Sequence, residues 1–184
     1  QELKRLFADA GIADAYRIVQ PSIALLPTRV EERTLTLGAT KLGGHPDLPA
    51  GTTWPRVGGE PLTFLAQLNF ADFAKLTDEL PKTGLLAIFI DDDALSEEGG
   101  YLENAKAILT KAGAKLERHE VPEDYVATIY QACKVQLAPK LSLPSYNNAH
   151  VTKALDAETI ATYESEVFAH QQDLPKVLGY RDYG

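Results

Sequence analysis

The segment Gly43–Pro55 (GGHPDLPAGTTWP) constrains the fold of this chain more than any other stretch. It begins with two glycines, which adopt backbone conformations closed to other residues. Each of its three prolines fixes its own φ angle and biases the preceding residue, here His45, Leu48 or Trp54, towards an extended conformation. Apart from its glycines, such a segment has little conformational entropy to lose on folding. We therefore expect a loop that holds one shape.

The size and composition of the chain are those of a globular protein. Its 184 residues, 45% of them hydrophobic and 24% charged, are enough for one well-buried core and few for two. We therefore expect a single domain over residues 1–184. The formal net charge is −8, which argues against nucleic acid or an anionic membrane as the main partner, because both need a basic surface. A basic substrate or protein partner fits this acidic charge better.

Cysteine content and apolar runs bear on the cellular location. The single cysteine, Cys133, cannot form an intramolecular disulfide, and its neighbours predict a small core residue in a strand. No apolar run approaches the ~20 residues of a membrane span. The N-terminal residues lack the basic-then-apolar pattern of a secretory signal. We therefore expect a cytoplasmic protein that does not cross a membrane.

Hydrophobic spacing predicts both helices and strands. Helices are predicted near the N-terminus and at Phe70–Leu80, Tyr101–Ala112 and Asp156–Gln171. Extended segments are predicted at Arg17–Leu26, Leu35–Leu37, Leu62–Leu68, Leu85–Ile90 and within Val126–Leu143. The two kinds of element do not alternate regularly, which favours an α+β fold with a mostly antiparallel sheet.

Several motifs, taken in order, resemble the YwqG-like family of bacterial proteins. They are Lys41–Pro49 followed by Trp54 and Pro55, Phe64–Asn69 (FLAQLN), Leu80–Phe89 with its Leu-Pro-x-x-Gly-x-Leu-x-x-Phe pattern, Leu143–Ser145 and Leu178–Tyr180. The similarity spans roughly Pro21–Tyr180, and the motifs of its first half are the specific ones. It implies a mainly β fold with helices packed on the sheet. Because the family is largely uncharacterised, the resemblance implies almost no chemistry.

The chain departs from this family near its end. Members usually continue after a Leu-Gly-Tyr-Pro motif into a further strand-rich section, whereas this chain has Arg181 at the proline position and ends at Gly184. The resemblance therefore implies a C-terminally shortened domain. If the further strands are absent, a sheet edge is left unpaired, and we expect it to accept a protein partner or a second copy of the chain.

Four residues are candidates for ligand binding: His45, Asp47, Trp54 and Gln67. The first two offer polar groups, and Trp54 offers a large apolar face. The alternative for Trp54 is that it fills the core while the prolines hold the loop around it. Gln67 lies in an otherwise apolar strand, where an unpaired buried amide would cost about 1–3 kcal/mol. It would therefore bond the backbone of the Gly43–Pro55 loop or point into a pocket.

Other chemical signatures are weak or missing. The chain has no dinucleotide-binding or P-loop glycine pattern, no metal-ligand spacing among its four histidines and no Gly-x-Ser-x-Gly elbow. The carboxylates of Asp91–Asp93, with Glu97 and Glu98, lack the spacing of a calcium loop and predict a solvated acidic loop instead. Basic residues do not cluster with aromatic ones, as nucleic-acid binding would require. We predict no cofactor and no metal.

These observations do not identify a reaction. The preferred interpretation is a bacterial binding or interaction domain that recognises a protein or small ligand through an acidic surface and the Gly43–Pro55 loop. The alternative is a small-molecule hydrolase that uses polar groups around Asp47, Trp54 and Gln67. An enzyme needs a pocket with converging polar groups and a strongly perturbed titratable residue. A binding module presents an exposed apolar patch or a free sheet edge instead.

Overall fold

The computed structural model describes residues 1–91, 105–127, 129–170 and 175–180. The strands are β1 Gln20–Arg29, β2 Lys41–Leu42, β3 Asp47–Pro49, β4 Arg56–Val57, β5 Glu60–Pro61, β6 Thr63–Asn69, β7 Leu85–Ile90, β8 Lys106–Thr110, β9 Leu116–Arg118, β10 Cys133–Ser142 and β11 Lys176–Val177. The α-helices are α1 Glu2–Asp9, α2 Phe70–Phe73, α3 Ala149–Ala154 and α4 Ala157–Glu166. Short 3₁₀ helices cover Ala13–Ile18, Glu32–Thr34 and Phe168–His170.

A seven-stranded sheet dominates the described chain, with the spatial order β11-β1-β10-β2-β6-β7-β8. Antiparallel registers join β1 to β11, β10 to β2, β2 to β6, β6 to β7 and β7 to β8. The pairs β3-β9 and β4-β5 form two small antiparallel sheets. The predicted α+β class, mainly an antiparallel sheet with a few helices, is therefore confirmed.

The chain divides into two compact units, residues 1–26 with 137–184 and residues 27–136. The prediction of a single domain over residues 1–184 stays a prediction. None of the helices in the described ranges has the length and hydropathy of a membrane span.

In the unit of residues 27–136, the core lies where β6 and β7 meet the proline-rich loop. Phe64 of β6 and Phe89 of β7 face each other across the register, with ring centroids 5.5 Å apart. The Trp54 ring packs edge-on against Phe89 at 5.3 Å, and Leu48 is completely buried beside them. Aromatic contacts of this kind contribute packing area and a favourable ring geometry, so the loop is part of this core.

In the unit of residues 1–26 and 137–184, helices build a separate core. Phe7 of α1 is fully buried against Tyr163 of α4, together with Val151 of α3 and Val167. The Tyr163 hydroxyl donates a hydrogen bond to the Pro144 carbonyl, which satisfies the one polar group on this buried ring. Burial raises the pKa of Tyr163, so the ring stays neutral.

The helix predicted at Tyr101–Ala112 is wrong over its described part. Residues 106–110 form β8 and pair residue by residue with β7, from Phe89↔Lys106 to Leu85↔Thr110. Ile108 and Leu109, placed together on a helical stripe by the sequence pattern, lie on opposite faces of the strand, and Leu109 is 64% exposed. The unpaired edge of the apolar strand β7 supplies hydrogen bonds that outweigh the local helical spacing.

The helix predicted at Phe70–Leu80 is much shorter than expected. It ends at Phe73 after one turn. Phe70 and Phe73 are buried, whereas Leu76 lies at the surface. The predicted extended segment Leu35–Leu37 is irregular in the structure. Of the predicted acidic loop, Asp92, Asp93, Glu97 and Glu98 lie outside the described residues.

Candidate functional site

The two glycines that open the Gly43–Pro55 loop are required by close backbone approach. Gly43 and Gly44 have φ angles of +64° and +72°, a region that side chains with a Cβ rarely adopt. A Cβ on Gly43 would lie 2.6 Å from the Gln131 carbonyl oxygen. A Cβ on Gly44 would collide with the carboxylate of Glu32. The loop therefore passes against Glu32 at a distance that only glycine permits.

A fully buried lysine lies beneath this loop. Lys41 of β2 has a side-chain exposure of 0%, and its Nζ is 2.8 Å from Glu32 Oε1 and 3.7 Å from Asp47 Oδ1. The same ammonium donates a hydrogen bond to the His45 carbonyl. Burial lowers the pKa of Lys41, while the two carboxylates act to raise it. The lysine thus ties the start of the loop to β2 and to the 3₁₀ helix at Glu32.

Asp47 is the second fully buried charge, and its carboxylate is surrounded by donors. Oδ2 accepts hydrogen bonds from the Gly38 N–H at 2.9 Å and from Gln67 Nε2 at 2.8 Å. Oδ1 accepts from Arg118 Nε at 2.9 Å. Each of these bonds is to a buried or half-buried partner, so the charge of Asp47 is compensated inside the protein.

Gln67 of β6 joins the loop to the sheet through three hydrogen bonds. Its Oε1 accepts from the Asp47 N–H at 2.9 Å. Its Nε2 donates to the Ala39 carbonyl at 2.7 Å and to the Asp47 carboxylate. The buried amide therefore finds partners in both the backbone and a side chain of this region, as an enclosed polar group requires.

Arg118 of β9 completes this network, and sequence reasoning did not find it. Besides Asp47, its guanidinium donates to the backbone carbonyls of Glu32 at 3.0 Å and Leu35 at 3.3 Å. β9 pairs with β3, which places Arg118 opposite Asp47. That pairing joins residues 71 positions apart, and no local pattern around Arg118 indicates it. Lys41 and Glu32 were also missed as site residues, although Lys41 begins the first of the recognised motifs.

His45 and Glu32 form a partly exposed pair in the network, with side-chain exposures of 22% and 19%. Glu32 Oε2 lies 2.8 Å from His45 Nδ1, and Glu32 Oε1 accepts from the His45 N–H at 2.7 Å. Burial of Glu32 acts to raise its pKa, but hydrogen bonds from Lys41 and His45 outweigh it and lower the pKa to about 2. The ionised carboxylate can only accept, so Nδ1 carries the proton of this bond. The opposite ring nitrogen, Nε2, faces Glu120 at 3.3 Å.

Trp54 lies in the core rather than beside the charged groups. Its indole N–H donates to the Leu62 carbonyl at 2.8 Å, and its ring packs with Phe89 and, at 6.4 Å, with Tyr125. The structure therefore brings Asp47, Gln67 and His45 into one hydrogen-bonded cluster, which we call the Asp47 network, with Lys41, Glu32 and Arg118. It places Trp54 in the neighbouring apolar cluster.

Strand β9 and the segment that follows it carry exposed carboxylates next to the loop. Glu117, Glu120 and Glu123 are all exposed, and Glu120 is 84% accessible. The segment is held to the loop because the His119 N–H donates to the Pro46 carbonyl at 2.9 Å. Arg118, which lies between these acidic residues, has its charge directed inward to Asp47. The outward surface of this segment is therefore acidic.

Across the residues that the structure describes, no group of three or more His, Cys, Asp or Glu side chains has the arrangement of a metal site. The buried Lys41 and the half-buried Arg118 balance the carboxylates of Glu32 and Asp47, so the charges of the Asp47 network sum to zero when His45 is uncharged. Four cavities lined by described residues lie elsewhere and include none of these six side chains.

Fold and site together define a class: an α+β domain, mainly an antiparallel sheet, whose proline-rich loop is anchored by buried ion pairs. Residues 40–183 match the family model described as a domain of unknown function, DUF1963. The chain therefore belongs to the DUF1963 family, which is an uncharacterised family as the sequence motifs implied; the YwqG-like name stays a prediction. No curated protein matches the chain.

Proposed function

We propose that this chain is a binding domain that recognises a basic group of a protein or small ligand beside the Gly43–Pro55 loop. One observation carries the proposal: the exposed carboxylates of Glu117, Glu120 and Glu123 lie on the segment paired with the loop. A lysine or arginine side chain would meet acceptors here and few competing cations. The proposal assigns the predicted acidic recognition surface to this segment.

The four candidate residues take different parts in this proposal. His45 contacts the ligand, because its ring lies at this surface with Nε2 3.3 Å from the Glu120 carboxylate. Asp47 and Gln67 hold the loop through their buried hydrogen bonds. Trp54 anchors the end of the loop in the core. A preorganised loop binds without the entropy cost of ordering it, which favours recognition.

The test is a titration with short peptides of opposite charge. A lysine- or arginine-rich peptide should bind and shift the backbone amide NMR signals of residues 117–123 and His45, whereas an acidic peptide of the same length should not. The double variant Glu120→Lys/Glu123→Lys should weaken binding by about tenfold or more, since it reverses two charges at the surface. Binding should also weaken as salt increases.

The matched control reverses two exposed charges on α4. Glu158→Lys/Glu164→Lys changes the net charge by the same amount far along the chain from this segment. Unchanged affinity in this control, with loss in the first variant, supports a local site. Equal loss in both variants, or signal changes elsewhere, would contradict the proposal and indicate attraction to net charge alone.

We propose that a protein partner or a second copy of the chain pairs with an edge strand of the large sheet. The end strands of the large sheet are β11 and β8 in the described chain, and Leu109 of β8 is exposed. Sedimentation of the chain and of Leu109→Lys tests this pairing. A dimer that persists in the variant, or a monomer at all concentrations, argues against β8.

Hydrolysis of a small molecule is the second candidate function, because of the position of one histidine. Glu32 Oε2 lies 2.8 Å from His45 Nδ1 and orients the ring, as a carboxylate orients the histidine in general-base catalysis. Turnover of an activated ester such as p-nitrophenyl acetate, lost in His45→Gln and kept in His150→Gln, would favour this candidate. Equal rates in the two variants would remove it.

A further inference from the structure

A small cavity in the unit of residues 1–26 and 137–184 has the lining of a ligand site. Its volume is about 200 Å³. Leu3 and Leu6 of α1 form one wall, and Leu143 and Val167 contribute further apolar surface. A wider space of about 710 Å³ shares Leu3, Leu6, Lys140 and His170 with it and is also lined by Glu2, Arg5 and Asp9. Mostly apolar walls with a few polar groups are typical of small-molecule sites.

Two buried serines add hydroxyl groups to the lining. Ser22 of β1 is 4% exposed and Ser142 of β10 is 2% exposed. In the described part of the chain, the Ser22 hydroxyl makes no hydrogen bond. Its oxygen is not fully enclosed by protein, so the exposed part of this side chain faces the cavity that Ser22 lines. The Ser142 oxygen accepts from the Tyr180 N–H at 3.1 Å. A hydroxyl without a protein partner is available to a ligand.

Basic side chains line the cavity. Among the described residues that line it, the charged or titratable ones are Lys140, Lys176 and His170. This is unusual in a chain whose formal net charge is −8. The three side chains come from β10, β11 and the 3₁₀ helix Phe168–His170, so different elements place them around one opening. Complementary charge here requires an anionic group on the ligand.

We propose that this cavity binds a small amphipathic carboxylate, such as a straight-chain fatty acid of six to eight carbons. At about 30 Å³ for a group of the size of water or methylene, the cavity holds roughly seven such groups. The alkyl chain lies against Leu3, Leu6 and Val167. The carboxylate lies towards Lys140 and Lys176, and the Ser22 hydroxyl donates to it. This site is independent of the acidic surface next to the Gly43–Pro55 loop.

The experiment is a calorimetric and NMR titration of the whole chain with octanoate. Octanoate should bind and shift signals of residues 3–6, 22–24 and 140–143. Octan-1-ol, which lacks the charge, should bind about tenfold more weakly, and octylammonium should not bind. Butyrate, four methylenes shorter, should bind about 100-fold more weakly, because each buried methylene contributes about three- to fourfold.

Variants separate this site from general attraction of a fatty acid to apolar surface. Lys140→Gln/Lys176→Gln should weaken octanoate binding by about tenfold and leave octan-1-ol unchanged. Lys4→Gln/Lys153→Gln removes two exposed lysines of the same unit and should leave both ligands unaffected. Ser22→Ala keeps the packing volume nearly constant and should weaken octanoate alone by a fewfold.

Several outcomes would overturn the proposal. They are the absence of octanoate binding at millimolar concentration, equal affinity for octan-1-ol, unchanged affinity in Lys140→Gln/Lys176→Gln, and NMR shifts confined to residues 27–136. If Lys140→Gln/Lys176→Gln does not fold, two measurements still test the proposal. They are the comparison of ligands on the unmodified chain and the affinity of Ser22→Ala for octanoate. Failure of this test leaves the peptide titration at residues 117–123 unaffected, so the two proposals fail separately.

Discussion

At the scale of single residues, Lys41 is the most constrained side chain of the described network. Its ammonium is completely buried and compensated by Glu32 and Asp47. Desolvating a charge costs several kcal/mol, which attraction repays only when the geometry is good and the remaining protons are bonded. The contribution of such a network is to specify one arrangement of the loop more than to add stability.

We predict that Lys41→Met destabilises the protein by about 3–5 kcal/mol, because it leaves the buried carboxylate of Asp47 and the half-buried carboxylate of Glu32 without their ammonium partner. Urea-induced unfolding measures the change. Lys115→Met, at an exposed position, should change the free energy of unfolding by less than about 0.5 kcal/mol. The double variant Lys41→Met/Glu32→Gln should recover part of the loss. An additive result would contradict the coupling of these two charges.

Substitutions at Gly44 and Gly51 separate the cost of a close atomic contact from the cost of an unfavourable backbone conformation. Gly44→Ala should destabilise the protein by at least about 1 kcal/mol more than Gly51→Ala. Both positions have φ angles above +70° and share the strain of a Cβ in that region. Only at Gly44 does the added Cβ meet the Glu32 carboxylate, whereas at Gly51 no atom lies within 4 Å. Equal unfolding free energies for the two variants would mean that Glu32 moves aside freely.

At the scale of elements, helix α4 is an example in which local sequence suffices. The predicted helix at Asp156–Gln171 corresponds to α4, whose N-cap is Asp156. The Asp156 side chain accepts a hydrogen bond from the Thr159 N–H at 2.8 Å, and this bond lowers the pKa of Asp156. An acidic residue at this position also complements the positive end of the helix.

We expect Asp156→Ala to lower the free energy of unfolding by about 1 kcal/mol, the typical contribution of an N-cap. Thermal and urea denaturation measure it. Glu164→Ala, which removes an exposed carboxylate from the same helix without a capping role, should have little effect. A loss of the same size in both variants would indicate helix charge rather than capping.

The strands show where local sequence is insufficient. β7 coincides with the predicted strand Leu85–Ile90 because a continuous apolar run buried in a sheet has one clear pattern. β8 was predicted as a helix because its apolar spacing suits either structure. Pairing with β7 decides between them, and pairing depends on residues about twenty positions away in the chain.

At the scale of the whole molecule, the Asp47 network makes stability depend on pH. Glu32 has a pKa of about 2 in the folded protein, against an ordinary value of 4.5. The unfolded chain therefore binds more protons between these values, so the stabilisation is complete above about pH 4.5 and is lost as the pH falls towards 2. Its full size is at most about 3 kcal/mol.

We predict that the free energy of unfolding of Glu32→Gln falls less between pH 5 and pH 2.5 than that of the unmodified chain. Urea unfolding at a series of pH values measures the two slopes. Glu164→Gln, at an exposed position of α4, should retain the slope of the unmodified chain. Parallel curves for Glu32→Gln and the unmodified chain would contradict the lowered pKa of Glu32.

Much of the fold was predictable from the sequence, and less of the site. The glycines and prolines of Gly43–Pro55 predict a loop of one shape. Trp54 lies in the core, which is the alternative that the sequence offers for this residue. Asp47 is a candidate from the sequence as a polar group of the loop, and Gln67 as an amide in an otherwise apolar strand. Their partner Arg118 is not a candidate, because its position depends on the pairing of β3 with β9.

The sequence by itself determined the α+β class and the apolar strands β6 and β7, and it predicts a stiff Gly43–Pro55 loop, since these depend on local periodicity and on the backbone limits of glycine and proline. Only the tertiary structure decided that Lys41, Glu32, Asp47 and Arg118 form one buried network under that loop. The physical reason is that compensation of buried charges is a matter of distance in space. Residues up to 86 positions apart supply these contacts, and no local pattern records them.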